Sequence, residues 1–226
     1  MFGEIQVLNT MAIDLIQKGC NGEASEILSE AVSDLSKCVL SNREQQEGRD
    51  HAKNCMDGVS IYSADILAMN PSVENGDFFF HPFGFECVVA TSDQEDDSLT
   101  NKDFSSCAIT CLYNLGLCYH MEWFKYQKTS TDKLLCKALY FYRQAFSFTS
   151  DYTMRPQDPI LQVLMAISTN AAHCSVKLAD LDQFRYWNKY LGKILNFCQD
   201  RRKNHVGFFI LTTQLNSYAI AAAAAA

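Results

Sequence analysis

The sequence is short of the residues that interrupt helices: it has 4 prolines and 10 glycines among 226 residues. This shortage excludes a collagen-like chain, and a hydrophobic content of 48% argues against a fully disordered one. Charged residues make up 20% of the chain, which argues against a protein with several membrane spans. The length therefore predicts one domain with enough residues to build a hydrophobic core.

The sequence also lacks the short motifs of common enzymes. It has no C-x-x-C pair, no phosphate-binding glycine loop, no G-x-S-x-G and no H-E-x-x-H. Cys107, Cys111 and Cys118 share one face of a predicted helix, but they coincide with its packing stripe and are predicted to be core residues rather than metal ligands. His81 and Cys87 have no third residue to orient them as a nucleophilic pair. We therefore expect no catalysis, no cofactor and no metal, unless the insertion described below hides a site.

Charge of the two signs is unevenly divided. Residues 1–103 hold 6 Lys/Arg and 19 Asp/Glu, and residues 104–226 hold 13 and 7, so the halves carry about −13 and +6. Such a division can stabilise the two halves against each other, or present an acidic and a basic surface to separate partners. Because the Lys and Arg residues are spread along helical faces, solvated helix faces are favoured. A basic, aromatic half leaves RNA binding open as an alternative, although only Arg201-Arg202-Lys203 forms a basic cluster and nucleic acid is not the expected partner.

The cysteines and the N-terminus indicate a compartment. Ten cysteines are many for this length, but they lack the spacing of a secreted disulfide framework. No signal peptide is visible after Met1, since the chain leads directly into an amphipathic segment. We expect a cytoplasmic protein, or one in another reducing intracellular compartment.

Helical periodicity recurs in three pairs of segments. The first pair lies within residues 4–40 and is interrupted at Gly19–Gly22, where a turn is predicted. The second follows from Phe104, with Thr131 or Asp132 capping its second helix. The predicted organisation is a first hairpin at 1–40, an insertion at 41–103, a second hairpin at 104–150, a third, degenerate hairpin at 151–200, a C-terminal capping helix at 201–220 and an alanine tail at 221–226 that resembles a tag or placeholder.

The insertion has a different character from the hairpins. Asp77–Val89 is aromatic and β-branched, and it predicts one or two short strands, or a loop that fills an apolar groove. Asp93–Ser98 is an acidic linker, and a disordered tip is expected near 91–100. The whole insertion is predicted to be irregular, partly β, and packed on the helices.

Two hairpins carry a repeated residue pattern. The second has Leu112-x2-Leu115-Gly116-x2-Tyr119 followed by Ala138-x3-Tyr142-x2-Ala145, and the first has Leu8-x2-Met11-Ala12-x2-Leu15 followed by Ala24-x3-Leu28-x2-Ala31. Small residues at Ala12 or Gly116 let the paired helix approach closely, and Ala24 or Ala138 lies across the crossing. The chain thus resembles the tetratricopeptide repeat family over about 110 residues. About ten extra residues separate the helices of the second hairpin, the third copy keeps the spacing but few residue types, and the family's proline is missing.

The resemblance implies an all-α solenoid of about three hairpins that binds a peptide or protein in a groove lined by the first helix of each repeat. Family members often carry an Asn two positions before the small residue to hold a ligand's backbone. Asn114 and Asn170 match that position, while the first repeat has Thr10. By helical spacing, four more residues are expected on the same side: Tyr113, His120, His173 and Lys177.

Besides RNA binding, three alternatives stay open. Asn114 and Asn170 could instead satisfy neighbouring helix ends, and the aromatic run Phe78–Phe85 could occupy the groove of its own chain. Gln6, Thr110 and Ala166 stand where the bases of a carboxylate clamp would be sought, so that mode of binding is not favoured. The uncharged residues 206–226 leave a tail-anchored adaptor open, although a capping helix is favoured. The expected function is a protein-binding scaffold or adaptor within a larger assembly.

Overall fold

A computed structural model of the chain is predominantly helical, which confirms the all-α prediction at that level. It describes residues 2–46, 59–64, 78–87, 101–126, 132–149, 155–156, 158–198, 207–214 and 216. The helices are α1 (Phe2–Gln17), α2 (Asn21–Gln46), α3 (Asn101–Tyr126), α4 (Lys133–Ser147), α5 (Ile160–Lys177), α6 (Leu181–Phe197) and α7 (207–214). Two short strands, β1 (Val59–Ser63) and β2 (Phe83–Cys87), belong to the insertion.

The first and third hairpins turn in the same way. Gly19 follows α1 with φ 77°, and Ala179 follows α5 with φ 58°. In both turns the next amide reaches back to the last helical turn, Cys20 N to Leu15 O at 2.9 Å and Asp180 N to Ser175 O at 2.8 Å. These bonds define the Schellman motif, which satisfies carbonyls left open at a helix end. The equal turn geometry explains why the third hairpin keeps the spacing of the first although most residue types differ.

Consecutive helices pack against each other from α1 to α6, and α3 also contacts α1 and α5. The predicted close approach in the second hairpin is present: a Cβ at Gly116 would lie 3.3 Å from the carbonyl oxygen of Ala138 and 2.7 Å from the Tyr142 ring. In the first hairpin Ala12 and Ala24 are both fully buried. Helix α5 is buried along almost its whole length, including several polar residues. Most buried polar side chains have a hydrogen-bond partner inside the protein, so those of α5 are expected to contact other parts of the chain.

The insertion contributes a small antiparallel sheet. Strand β1 pairs with β2 in a register that places Tyr62 opposite Gly84 and Ser63 opposite Phe83. The Tyr62 ring lies over Gly84, where a Cβ would come within 2.2 Å of it. The prediction of a short strand within Asp77–Val89 is therefore confirmed at Phe83–Cys87, whereas β1 lies in a part of the insertion for which no strand was specifically predicted.

Some expected boundaries differ from those in the structure. Helix α2 runs to Gln46, beyond the expected end near residue 40, because Glu, Gln and Arg are good helix formers even without an apolar stripe. Asp132 occupies the N-cap position of α4, as predicted, but its side chain makes no capping hydrogen bond.

Several predictions lie outside the described residues. They concern the acidic linker 93–98, the tip near 91–100, the basic cluster 201–203, the cap at Thr131 and the alanine tail. Among the helices that the structure does describe, none combines the length and the apolar character needed to cross a membrane.

Candidate functional site: an asparagine row that holds an extended segment

Residues 78–87, here called the aromatic segment, lie across three buried asparagine side chains, one each from α1, α3 and α5. These side chains, Asn9, Asn114 and Asn170, are here called the asparagine row. Asn114 of α3 is fully buried and contacts one residue of this segment through both ends of its amide. The Phe83 N–H donates to Asn114 Oδ1 at 2.9 Å, and Asn114 Nδ2 donates to the Phe83 carbonyl at 2.8 Å. A primary amide presents the same donor and acceptor as a peptide group, so Asn114 substitutes for a neighbouring strand.

Asn170 of α5 repeats this arrangement four residues earlier in the segment. The Phe79 N–H donates to Asn170 Oδ1 at 2.7 Å, and Asn170 Nδ2 donates to the Phe79 carbonyl at 2.7 Å. The Tyr113 hydroxyl lies 3.1 Å from both the Phe79 and the His81 carbonyl oxygens. The helices therefore bind the segment largely through its backbone.

The opposite edge of β2 is satisfied by β1. The Ala64 N–H donates to the Pro82 carbonyl at 2.9 Å, while the next residue, Phe83, directs both backbone groups to Asn114. This alternation is that of an antiparallel ladder, with the asparagine side chain in place of a third strand. No buried backbone group of Phe83 is left without a partner, which a buried segment requires.

Asn9 of α1 belongs to the same network and was missed by the sequence analysis. Its Nδ2 donates to the Phe83 carbonyl at 3.1 Å, and its Oδ1 accepts from Asn114 Nδ2 at 2.9 Å. The expected position in the first hairpin was Thr10, which is exposed and bonds to the Gln6 carbonyl of its own helix. The signal available in the sequence was the apolar stripe through Ile5, Ala12 and Ile16, which is buried in the structure. On a helix this stripe includes position 9 and excludes position 10.

Several aromatic side chains of the aromatic segment are buried together with its backbone. Phe79, Phe83 and Phe85 are each at most 2% exposed. The Phe79 ring lies 4.9 Å from that of Phe209 and 5.6 Å from that of Phe208, both in α7, and the Phe83 ring meets Tyr113 edge-on at 5.3 Å. Helix α7 thus covers the aromatic segment, in addition to bonding α6 through neighbouring Asn216.

Phe78 ends the segment on a pair of buried histidines. Its ring stacks on His120 at 4.1 Å between centroids and lies 5.3 Å from the ring of His173. His120 Nε2 and His173 Nδ1 are 2.8 Å apart, and His120 Nδ1 is 3.2 Å from the Tyr142 hydroxyl. Because Asn170 Nδ2 donates to the Tyr142 oxygen, the Tyr142 hydrogen is available for His120 Nδ1. In the tautomer in which Tyr142 donates to His120 Nδ1, His120 carries its proton on Nε2 and donates it to His173 Nδ1.

Both histidines are neutral in this environment. Burial lowers the pKa of His120 well below its usual value, and the nearby His173 and Lys177 lower it further. Burial, with a smaller effect of Lys177, lowers the pKa of His173 to about 3. Burial also raises the pKa of Tyr113, Tyr142 and Cys174, so these groups keep their protons at neutral pH. The site is therefore an uncharged, hydrogen-bonded surface without an activated nucleophile.

The structure brings five of the six predicted site residues together around the aromatic segment: Tyr113, Asn114, His120, Asn170 and His173. Lys177 is one turn beyond His173 and is exposed, and it acts on the site by lowering the pKa of His173. Asn114 and Asn170 bond to the aromatic segment rather than to helix ends, so that alternative is wrong. The possibility that the aromatic run occupies this surface in its own chain is confirmed.

The cysteine prediction is also confirmed as far as burial is concerned. Cys107, Cys111 and Cys118 are at most 1% exposed, and the Cys111 thiol points to Asn9 Oδ1 at 3.9 Å. Within the described residues, no group of three His, Cys, Asp or Glu side chains is arranged to hold a metal ion.

Comparisons with protein-family models, with curated proteins and with solved structures each return no match. The resemblance to tetratricopeptide repeats accordingly rests on the residue pattern alone and stays a prediction.

Proposed function

We propose that this chain is a non-catalytic protein-interaction module, a tetratricopeptide-like array of about three helical hairpins that binds an extended peptide across its first helices. In the state described, its own aromatic segment is the occupant of that surface. The observation that carries the proposal is the pairing of Asn114 with Phe83 and of Asn170 with Phe79, in which each amide both donates to and accepts from one residue.

These contacts suit peptide binding because they are made to backbone atoms. Any extended residue other than proline presents the same N–H and C=O, so the asparagine row recognises a conformation rather than one side chain. The row is also held rigidly, since Asn9 orients Asn114 and Tyr142 bonds to Asn170. Preorganised donors and acceptors lower the entropy lost when a peptide binds.

A tethered occupant weakens binding of a free peptide. A segment of the same chain competes at a high effective concentration, which reaches the millimolar range when two binding groups are closely tethered. A free peptide of equal intrinsic affinity would displace it only near that concentration. Substitutions that weaken the contacts of the aromatic segment with the helices should therefore raise the affinity of the protein for a separate peptide.

The test uses a labelled synthetic peptide of residues 77–87, with Cys87→Ser, and the full chain. In fluorescence anisotropy the peptide should bind the Phe79→Leu/Phe83→Leu variant about tenfold or more tightly than the unchanged chain, because two smaller side chains weaken the internal occupant. Adding Asn114→Ala and Asn170→Ala to the variant should abolish binding, whereas adding Thr10→Ala should not affect it.

Circular dichroism must show that each variant keeps its helices. Failure of the peptide to bind both the unchanged chain at millimolar concentration and the folded Leu variant would refute the proposal.

A further inference from the structure

The side chains of the aromatic segment indicate what kind of peptide this surface accepts, an inference that rests on the proposed function. Asn170 binds residue 79 and Asn114 binds residue 83, so the two amides select backbone groups four residues apart. Each asparagine is fixed on a buried helix, and α3 contacts α5 directly. The spacing is therefore a property of the helices and not of the segment.

The same two positions carry aromatic side chains that fill apolar surroundings. Phe79 lies against Phe83, Phe208 and Phe209, and Phe83 lies against Tyr113. A side chain much smaller than Phe would leave a cavity at either position.

A third aromatic position precedes the first asparagine contact. Phe78 is 2% exposed, stacks on His120 and packs against Phe124 at 5.6 Å. His173 Nε2 is buried beside it without a hydrogen-bond partner among the described residues. An aromatic ring fits this position better than a charged side chain, because His120 and His173 are neutral and enclosed.

The positions between these anchors are less restricted. Phe80 and His81 are only partly buried, although their rings stack at 4.6 Å and Pro82 beside them is buried. The His81 carbonyl oxygen accepts from Tyr113. These residues should tolerate exchange as long as the backbone stays extended.

We propose that the partner of this surface is an extended peptide with the pattern aromatic-aromatic-x-x-x-aromatic, bound in register with Asn170 and Asn114 after it displaces the aromatic segment. The second and the last aromatic residues occupy the positions of Phe79 and Phe83. The intermediate residues supply backbone contacts and side chains that are less buried at positions 80 and 81.

Four peptides of residues 77–87, each with Cys87→Ser, test this proposal against the Phe79→Leu/Phe83→Leu chain. One is otherwise natural, one carries Phe80→Ala, one carries Phe79→Ala, and one has a single alanine inserted between residues 81 and 82. The natural and Phe80→Ala peptides should bind within about threefold of each other. The Phe79→Ala and inserted peptides should bind about tenfold more weakly or worse, because the first loses a buried ring and the second can meet only one asparagine at a time.

A substitution in the protein distinguishes binding in the proposed register from nonspecific hydrophobic binding of the peptide. Asn114→Ala should weaken the natural peptide by about tenfold but should change the inserted peptide much less, since the insertion already forfeits one of the two asparagine contacts. Equal affinities for all four peptides would overturn the pattern while leaving the proposed function intact. Absence of binding by every peptide would instead refute the proposed function and this inference together.

Two further results complete the test. If the Leu variant fails to fold, the unchanged chain is titrated to millimolar peptide, and the same order of displacement should appear in the amide resonances of Phe79 and Phe83. If size-exclusion chromatography with light scattering shows instead a dimer that the natural peptide cannot dissociate, the occupant is the segment of a second copy and the proposal is wrong.

Discussion

Asn114 and Asn170 each satisfy both backbone polar groups of one buried residue, at Phe83 and Phe79 respectively. A buried N–H or C=O without a partner costs about 1–3 kcal/mol, whereas an exposed side-chain hydrogen bond contributes little. The contribution of the asparagine row should therefore be far larger than that of polar residues one position away on the same helices.

Asn114→Ala should lower the free energy of unfolding by about 2–4 kcal/mol, because it leaves the Phe83 N–H without a partner and its carbonyl with Asn9 alone. Urea unfolding followed by circular dichroism measures the change. Thr10→Ala is the matched control, since Thr10 is exposed and bonds only within α1, and it should change the free energy by less than about 0.5 kcal/mol. Equal effects of the two substitutions would show that Asn114 does not support the aromatic segment.

The histidine pair predicts that stability depends on pH. The folded-state pKa of each histidine is lowered, to about 3 for His173, below the ordinary value near 6.5 of an unfolded chain. The unfolded state therefore binds protons first as the pH falls. The stabilising effect is complete above about pH 6.5 and is lost progressively toward the folded-state values, at about 1.4 kcal/mol per pH unit for each histidine.

Replacing one histidine should halve this contribution to the slope of the free energy of unfolding against pH. In His173→Asn the amide can occupy the place of Nδ1 beside His120 but cannot be protonated. The free energy of unfolding measured between pH 6.5 and 4.5 should then fall less steeply, by about one proton equivalent. An unchanged slope would mean that His173 is not held neutral in the folded chain.

At the scale of the elements, hairpin geometry depends on a few small residues. The close approach of α3 and α4 at Gly116 and the positive φ at Gly19 and Ala179 each set how two helices meet. At both kinds of position glycine is expected to be more stable than alanine.

Gly116→Ala should destabilise the protein by about 1–3 kcal/mol, because the added Cβ would lie 2.7 Å from the Tyr142 ring and would push α4 away. Gly192→Ala in α6 is the matched control, since a Cβ there meets nothing within 4 Å. That change should instead stabilise the protein by about 0.5–1 kcal/mol through better helix propensity. Thermal unfolding of the two variants in parallel distinguishes these outcomes, and equal shifts would contradict the described packing.

Ala179→Gly should raise the free energy of unfolding by about 1 kcal/mol, since alanine is strained at a φ of 58° and glycine is not. Gly19→Ala, at the equivalent turn of the first hairpin, should lower it by a similar amount. If both substitutions destabilise the chain, the two turns do not share the Schellman geometry.

For the molecule as a whole, the sequence predicted most of the helices because their apolar residues follow a 3.6-residue period that needs no tertiary information. The turn at Gly19 and the close helix approach at Gly116 were likewise predicted from residues near them in the sequence. For Asn114 and Asn170 the sequence predicted only that they face the binding side of the array. It left open whether a partner or the chain itself occupies that side.

The remaining features depend on distant residues. Asn170 and Phe79 are 91 positions apart, and no periodicity within either segment encodes that meeting. Asn9 was missed since one residue of helix rotates a side chain by about 100°, enough to exchange a buried for an exposed position. Lys177 was included because spacing alone does not show where a helix leaves the core.

The central claim is that the asparagine row holds the aromatic segment by its backbone, and amide hydrogen exchange of the full chain measures this directly by NMR. The amides of Phe79 and Phe83 should exchange as slowly as those in the middle of α3 and α5. Asn170→Ala should accelerate exchange first at Phe79, and Asn114→Ala first at Phe83, while the helical amides stay protected. Exchange of both amides at the rate of an unstructured peptide in the unchanged chain would contradict the account.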